Sequence, residues 1–177
     1  GLHGIIITEH GATLGWYKKK KEIEEGGFKY VHAFEGYTRA NEDDKNNYHI
    51  LVYGLNNEGR KEINQLISNA YKDNHFYKRP TFFIDELFEC KNVAVSTACL
   101  ATALRKNNKD SYVFQRLLEW GLQNKDRFFL EIQPHNMPEQ IEHNNFIIEL
   151  SREYGFKIVA TNDVHYHNKM SGELRKE

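Results

Sequence analysis

An α/β fold is predicted, either an α/β barrel or an open doubly wound sheet. Two patterns predict it. Short apolar runs alternate with longer amphipathic stretches along the whole chain, which is how strands and helices alternate in such folds. The runs are also β-branched or aromatic and mostly apolar on both faces, as strands of a parallel sheet covered on two sides read. A third observation gives the fold a working end: several runs terminate in residues able to hold a metal.

The first strand is expected at Gly4-Ile5-Ile6-Ile7-Thr8. A weaker helical pattern follows over residues 15–26, and its four lysines, Lys18 to Lys21, read as a solvated helix face. Tyr30-Val31-His32-Ala33-Phe34 is the second strand, the charged stretch 41–47 a loop, and His49-Ile50-Leu51-Val52-Tyr53 the third strand. Residues 58–72 place Ile63, Leu66, Ile67 and Ala70 on one helical face. Val93-Ala94-Val95-Ser96 is the fourth strand, and the helix over 111–123 carries Val113, Leu117, Leu118 and Trp120. Phe128-Phe129-Leu130-Glu131-Ile132 is the fifth strand. The helix over 138–154 carries Ile141, Phe146, Ile147 and Leu150, with Gly155 placed to end it. Phe156-Lys157-Ile158-Val159-Ala160 is the sixth strand. No repeat, low-complexity tract or linker interrupts this order, so 1–177 reads as a single domain.

Composition narrows the function classes. The 177 residues include 24 Lys+Arg against 25 Asp+Glu, a formal charge of −1, so contact with DNA requires a local patch rather than a global basic footprint. Aromatic residues make up 13% and only 3 prolines occur, which argues against disorder. No apolar stretch reaches the roughly 18 residues of a membrane span, and no signal peptide is visible. Two cysteines, Cys90 and Cys99, build no disulfide framework, and a reducing cytoplasm is the expected location.

The polar residues cluster by position. The first run leads into Glu9-His10, the second into Glu35, the fourth into Cys99, the fifth into His135, and the sixth into Asp163-Val164-His165. Ligands gather at the carboxyl ends of strands in such folds. Asp163 and His165 are two apart, so in an extended segment they point to one side and can grip one cation. Imidazole suits zinc, and carboxylates also accept manganese or magnesium. Cys99 adds a soft donor when ionised. Taken singly, each residue is better explained as structural: a hydrogen-bonded His, a small buried Cys, a surface carboxylate. Their joint placement favours metal. His49 breaks the rule, since it stands at the start of its run. His3, His32, His75, His143 and His167 lack the placement and are read as outside the site.

These segments resemble a known family. Ile5-Ile6-Ile7-Thr8-Glu9-His10-Gly11 resembles the "ITDHG" motif of the polymerase and histidinol phosphatase (PHP) domain. Phe34-Glu35-Gly36-Tyr37 resembles its "CEVY", Tyr48-His49-Ile50-Leu51-Val52 its "YHLVLL", and Ser96-Thr97-Ala98-Cys99-Leu100-Ala101 its "SACLAG". Phe129-Leu130-Glu131-Ile132-Gln133 resembles "YLELQ", and Ala160 through Tyr166 match "ATNDVHY" residue for residue. Within the family, the helix opening at Asn57-Glu58-Gly59 and the stretch Phe76-Tyr77-Lys78-Arg79-Pro80 resemble the branch found in bacterial DNA polymerase III alpha subunits.

The resemblance implies a distorted (βα)7 barrel of the TIM-like type with a metal cluster at the carboxyl ends of its strands. Six ligands carry over: His10, Glu35, His49, Cys99, Asp163 and His165. The family also places a ligand at the start of the third run, where His49 stands. Its members open with a His-x-His strand and a further carboxylate that this chain does not contain, so a fragment lacking three ligands, the first strand and most of the first helix is expected. The motif's Asp is Glu9 here. The implied activity is metal-dependent phosphoester hydrolysis, a 3′–5′ exonuclease in the full polymerase, impaired in this fragment. Implied cofactors are zinc or manganese, with magnesium a further option. Implied partners are DNA, the remaining polymerase domains and replisome subunits, with no membrane. Glu131 and His135 are weak candidates for orienting water. The alternatives are a non-catalytic structural module and a stand-alone histidinol-phosphatase type enzyme. An unpaired barrel seam would also favour a homodimer.

Overall fold

The computed structural model describes residues 2–165. The chain order is β1 (Gly4–Ile7), α1 (Trp16–Glu25), β2 (Lys29–Arg39), β3 (Tyr48–Gly54), α2 (Asn57–Ala70), β4 (Phe76–Tyr77), β5 (Arg79–Phe83), β6 (Val93–Ser96), α3 (Tyr112–Gln123), β7 (Phe128–Ile132), α4 (Pro138–Tyr154) and β8 (Lys157–Ala160). A 3-10 turn at Ile84–Glu89 joins β5 to β6. The strands form one sheet in the order β4-β5-β2-β3-β6-β7-β8, with β1 added to the start of β2. The sheet curls as half of a barrel, and among the described residues β1 and β8 do not pair with each other.

The sheet is mixed, not parallel throughout. β1–β2, β2–β5, β6–β7 and β7–β8 pair in parallel, whereas β3 runs antiparallel to both β2 and β6. The reason lies in the connection. Residues 40–47 are too few to hold a crossover helix, which takes roughly ten residues or more. The chain therefore turns back and β3 returns beside β2, with Tyr37 opposite His49 and Glu35 opposite Leu51.

Helices cover one face of the sheet. Asn56 caps α2 through its side-chain oxygen, which accepts from the Glu58 and Gly59 amides at 2.9 and 3.0 Å. Ser111 caps α3 in the same way at 3.2 Å from the Phe114 amide. Pro138 opens α4 and Gly155, with φ 74°, stops it. The buried faces of α2 and α3 join Phe34, Ile50, Val52, Val95, Phe128 and Leu130 of the strands in one core. In α4 the buried stripe is Gln140, His143, Phe146, Ile147 and Leu150, while Ile141 is exposed. Residue 141 lies a full helical step off that stripe, so the expected inward Ile is displaced by two polar residues. α1 has no fully buried residue and is laced by Lys18–Glu22, Lys20–Glu24 and Lys21–Glu25 pairs one turn apart, so these three lysines lie on the solvated face as expected, while Lys19 turns to Glu9 beyond β1.

Candidate metal centre

Backbone pairing puts His10 next to Glu35. Beyond β1 the Glu35 amide donates to the Glu9 carbonyl at 2.9 Å, and the Gly11 amide donates to the Glu35 carbonyl at 2.8 Å. Gly11 has φ +66° and leaves 3.1 Å between an added Cβ and Pro80, so glycine suits this turn on two counts. His10 Nε2 then lies 3.3 Å from Glu35 Oε2. On the other side, His49 Nδ1 lies 2.6 Å from Glu35 Oε1. Antiparallel β3 explains how a residue at a strand's start joins residues at strand ends: its beginning lies beside the finish of β2. Cys99 Sγ closes the group, 3.6 Å from His49 Nδ1.

Cations fit this donor set. One donor atom from each of His10, Glu35 and His49 lies within 4.8 Å of the others. The set mixes nitrogen, carboxylate oxygen and sulfur, which matches zinc and admits manganese. Glu35 is buried and sits between two imidazoles. Burial works against a charged His49, but hydrogen bonds to Cys99 and Glu35 and their negative charge outweigh it, raising its pKa to about 9. The pocket therefore favours positive charge.

Beside the cluster opens a cavity of about 360 Å³, lined in part by Ile6 and Thr8 at the β1 edge and by residues 161–165 beyond β8. Asp163 and His165 sit at this mouth. The His165 ring lies 5.8 Å from that of His10, and its Nδ1 lies 3.7 Å from Asp163 Oδ1. Asp163 holds a left-handed backbone at φ 48°, and Ala98, just before Cys99, does so at φ 59°. Such strain in non-glycine residues collects at functional sites.

The family model for the PHP domain matches residues 1–135. The chain belongs to the PHP domain family. Among curated relatives, the DNA polymerase III subunit alpha of Aquifex aeolicus is 30% identical over 187 residues, covering 95% of this chain and 16% of that protein. That of Thermus aquaticus is 28% identical over 182 residues, covering 93% of this chain and 14% of that protein. The PHP domain described here thus spans less than a fifth of these polymerase subunits. A solved structure from Bifidobacterium adolescentis, assigned as a metal-dependent phosphoesterase, superposes with a TM-score of 0.59 at 16% identity, covering 96% of this chain and 79% of that one. That likeness shows the fold.

Within this PHP domain the other candidates divide. Glu131 lies on the cavity floor, buried, and accepts hydrogen bonds from Ser96 Oγ at 3.0 Å, Gln133 Nε2 at 3.2 Å and Thr161 Oγ1 at 2.6 Å. His135 is exposed in the segment between β7 and α4 and does not line the cavity. Glu9 turns away from the cluster to pair with Lys19 at 2.6 Å. Of the histidines read as outside the site, His75 is stacked on Phe83 and bonded to Glu86, and His143 lies on the buried face of α4. Tyr166, which ends the matched motif, and His167 lie outside the described residues. Tyr53 was missed: its hydroxyl hydrogen-bonds Ser96 Oγ at 2.9 Å at the cavity wall, and burial raises its pKa. The signal was available, since His49, Leu51 and Tyr53 share one face of β3 by their period of two.

Proposed function

We propose that this PHP domain holds divalent cations with His10, Glu35, His49, Cys99, Asp163 and His165 and hydrolyses phosphoesters. The observation that carries the proposal is the buried Glu35 carboxylate between His10 and His49, opening onto a cavity wide enough for a phosphoryl group. Zinc or manganese there would supply Lewis acidity and water of lowered pKa. The side chains do the rest. Glu35 supplies two oxygens to adjacent positions, the imidazoles of His10 and His49 flank it, and Cys99 adds sulfur to the His49 side. Asp163 and His165 stand across the mouth, where they can complete the coordination. Glu131 fixes Thr161, and through it the start of the segment that carries Asp163.

In the setting of a polymerase III alpha chain, the substrate is the 3′ end of DNA and the outcome is proofreading by a 3′–5′ exonuclease. The same reading sets the half-barrel within a distorted (βα)7 barrel, takes 1–177 as one domain, and places it in the cytoplasm beside the remaining polymerase domains and replisome subunits. A structural role is the second reading. It is favoured by the two Glu35–His contacts, which already tie β1, β2 and β3 together without an ion.

Elemental analysis of the purified chain, repeated on Asp163→Ala and His165→Ala, separates the two. The proposal expects zinc or manganese in the wild type and a clear loss in both variants. Metal content that ignores both substitutions would sink it. With metal present, failure to release nucleotides from single-stranded DNA 3′ ends would leave the structural role.

A further inference from the structure

The strongest unassigned feature is the turn between β4 and β5. It is a tight antiparallel hairpin, with Tyr77 opposite Arg79 and Lys78 alone at its tip. Lys78 takes φ 60°, a left-handed conformation unfavourable for a side chain of its kind. The surroundings hold it there. Arg39, buried behind the turn, donates to the carbonyls of Glu42, Asp44, Asn74 and His75 at 2.9–3.2 Å, and its guanidinium lies 5.6 Å from the Tyr77 ring centre. Asn47 Nδ2 donates to the Tyr77 carbonyl at 3.1 Å. A rigidly supported turn therefore projects two cations, Lys78 and Arg79, both exposed.

Arg79 lies one aromatic ring away from the metal centre. Its NH1 donates to the Tyr37 hydroxyl at 2.7 Å, and its Cζ lies 4.9 Å from the centre of the Tyr37 ring. That same ring stacks on His10 at 6.0 Å and meets His49 edge-on at 5.0 Å. One aromatic ring thus separates the guanidinium from two of the candidate ligands. Among the described residues, the contacts of Lys78 and Arg79 are aromatic or neutral, namely the Tyr77 ring for Lys78 and Tyr37 for Arg79. A planar guanidinium with most of its N–H groups unspent, fixed beside a phosphoester site, is suited to bidentate grip of phosphate oxygens.

We propose that Arg79, with Lys78 beside it, binds a backbone phosphate of a single nucleic-acid strand whose end lies in the metal cavity. The proposal rests on the phosphoester reading above and narrows its substrate to a polyanionic strand with at least one phosphate outside the cavity. It also supplies the local positive patch that a chain of formal charge −1 requires for such contact. A strand threads past the turn, and Tyr37 holds the guanidinium at the rim.

The test uses chelator-treated protein and a fluorescein-labelled oligothymidylate of about 12 nucleotides, within the usual span for strand binders. Anisotropy is followed over a range of salt, with inorganic phosphate as a competitor. Arg79→Gln should weaken binding about 5- to 10-fold and lower the salt dependence by about one ion, with Arg79→Lys between it and wild type. In preparations not treated with chelator, metal content should stay at the wild-type value in both variants. Equal binding by Arg79→Gln and wild type would overturn the proposal, as would wild type that ignores the oligonucleotide or prefers inorganic phosphate. Absence of metal from the untreated wild type would instead strike the phosphoester reading, which keeps the two failures apart.

Discussion

Glu35 and His143 show how differently the fold treats two buried polar residues. Glu35 is wedged between imidazoles and next to a cavity, so its charge has partners. His143 sits on the buried face of α4, and its Nε2 lacks a hydrogen-bond partner among the described residues. Burial first, and then the charge of Arg105, push its pKa down from the ordinary 6.5 to about 4. The fold keeps His143 neutral, while the unfolded chain takes up a proton near its ordinary value. Its contribution to stability is therefore complete above pH 6.5 and is lost as pH falls toward about 4. In urea unfolding, His143→Leu should lose less stability than wild type between pH 6.5 and 4. A pH profile identical to wild type would contradict this. At this scale the sequence carried the residue types and their positions along the runs, so His10, Glu35, Cys99 and Asp163-x-His165 were legible. The hydroxyl network of Tyr53, Ser96 and Thr161 beneath Glu131 was not, because Ser, Thr and Tyr are too common on strands to stand out. Position alone set Cys99, which follows the fourth run, apart from Cys90. Burial that raises the Cys90 thiol to about 12 marks it as a core residue.

Among the elements, β3 matters most for the site, and its direction was the main surprise. The apolar runs were legible because six of them became strands. Direction was not, because an apolar run carries no arrow. The short connection over residues 40–47 was the one available sign, and it explains why His49 works from the wrong end of its strand. The hairpin β4–β5 was missed outright, since its strands are only two and five residues long, meet at Lys78, and β5 carries a proline, Pro80. Packing between elements is close where α2 meets the entry to β6. A Cβ on Gly59 would fall 2.0 Å from the Asn92 carbonyl oxygen. Helix propensity alone would favour Gly59→Ala by about 1 kcal/mol. The clash is with backbone, so the net effect should be a loss of about 2 kcal/mol. Chemical denaturation decides the sign, and a stabilised Gly59→Ala would show that α2 can slide away from β6.

Among the described residues the curled sheet leaves one side of β1, of β4 and of β8 without a strand partner. β1 leaves Ile6 half exposed at 50%, and β8 leaves Ile158 exposed at 37%. Unpaired strand margins bearing apolar residues invite pairing with another chain. Sedimentation velocity of the isolated chain should show concentration-dependent association, reduced by Ile6→Lys; a monomer at the highest concentrations would indicate that the margins are protected. The α/β class and the order of elements could be read from alternating patterns alone. How far the sheet closes could not, because closure depends on twist and on contacts between residues far apart in the chain.

The cavity straddles the margins at β1 and β8. His10 follows β1, and Asp163 and His165 follow β8, yet β1 and β8 share no ladder among the described residues. A cation gripped from both sides would act as a clasp across a gap that the backbone leaves open. The firmness of the seam would then depend on the supply of metal in solution, independently of any reaction at the site.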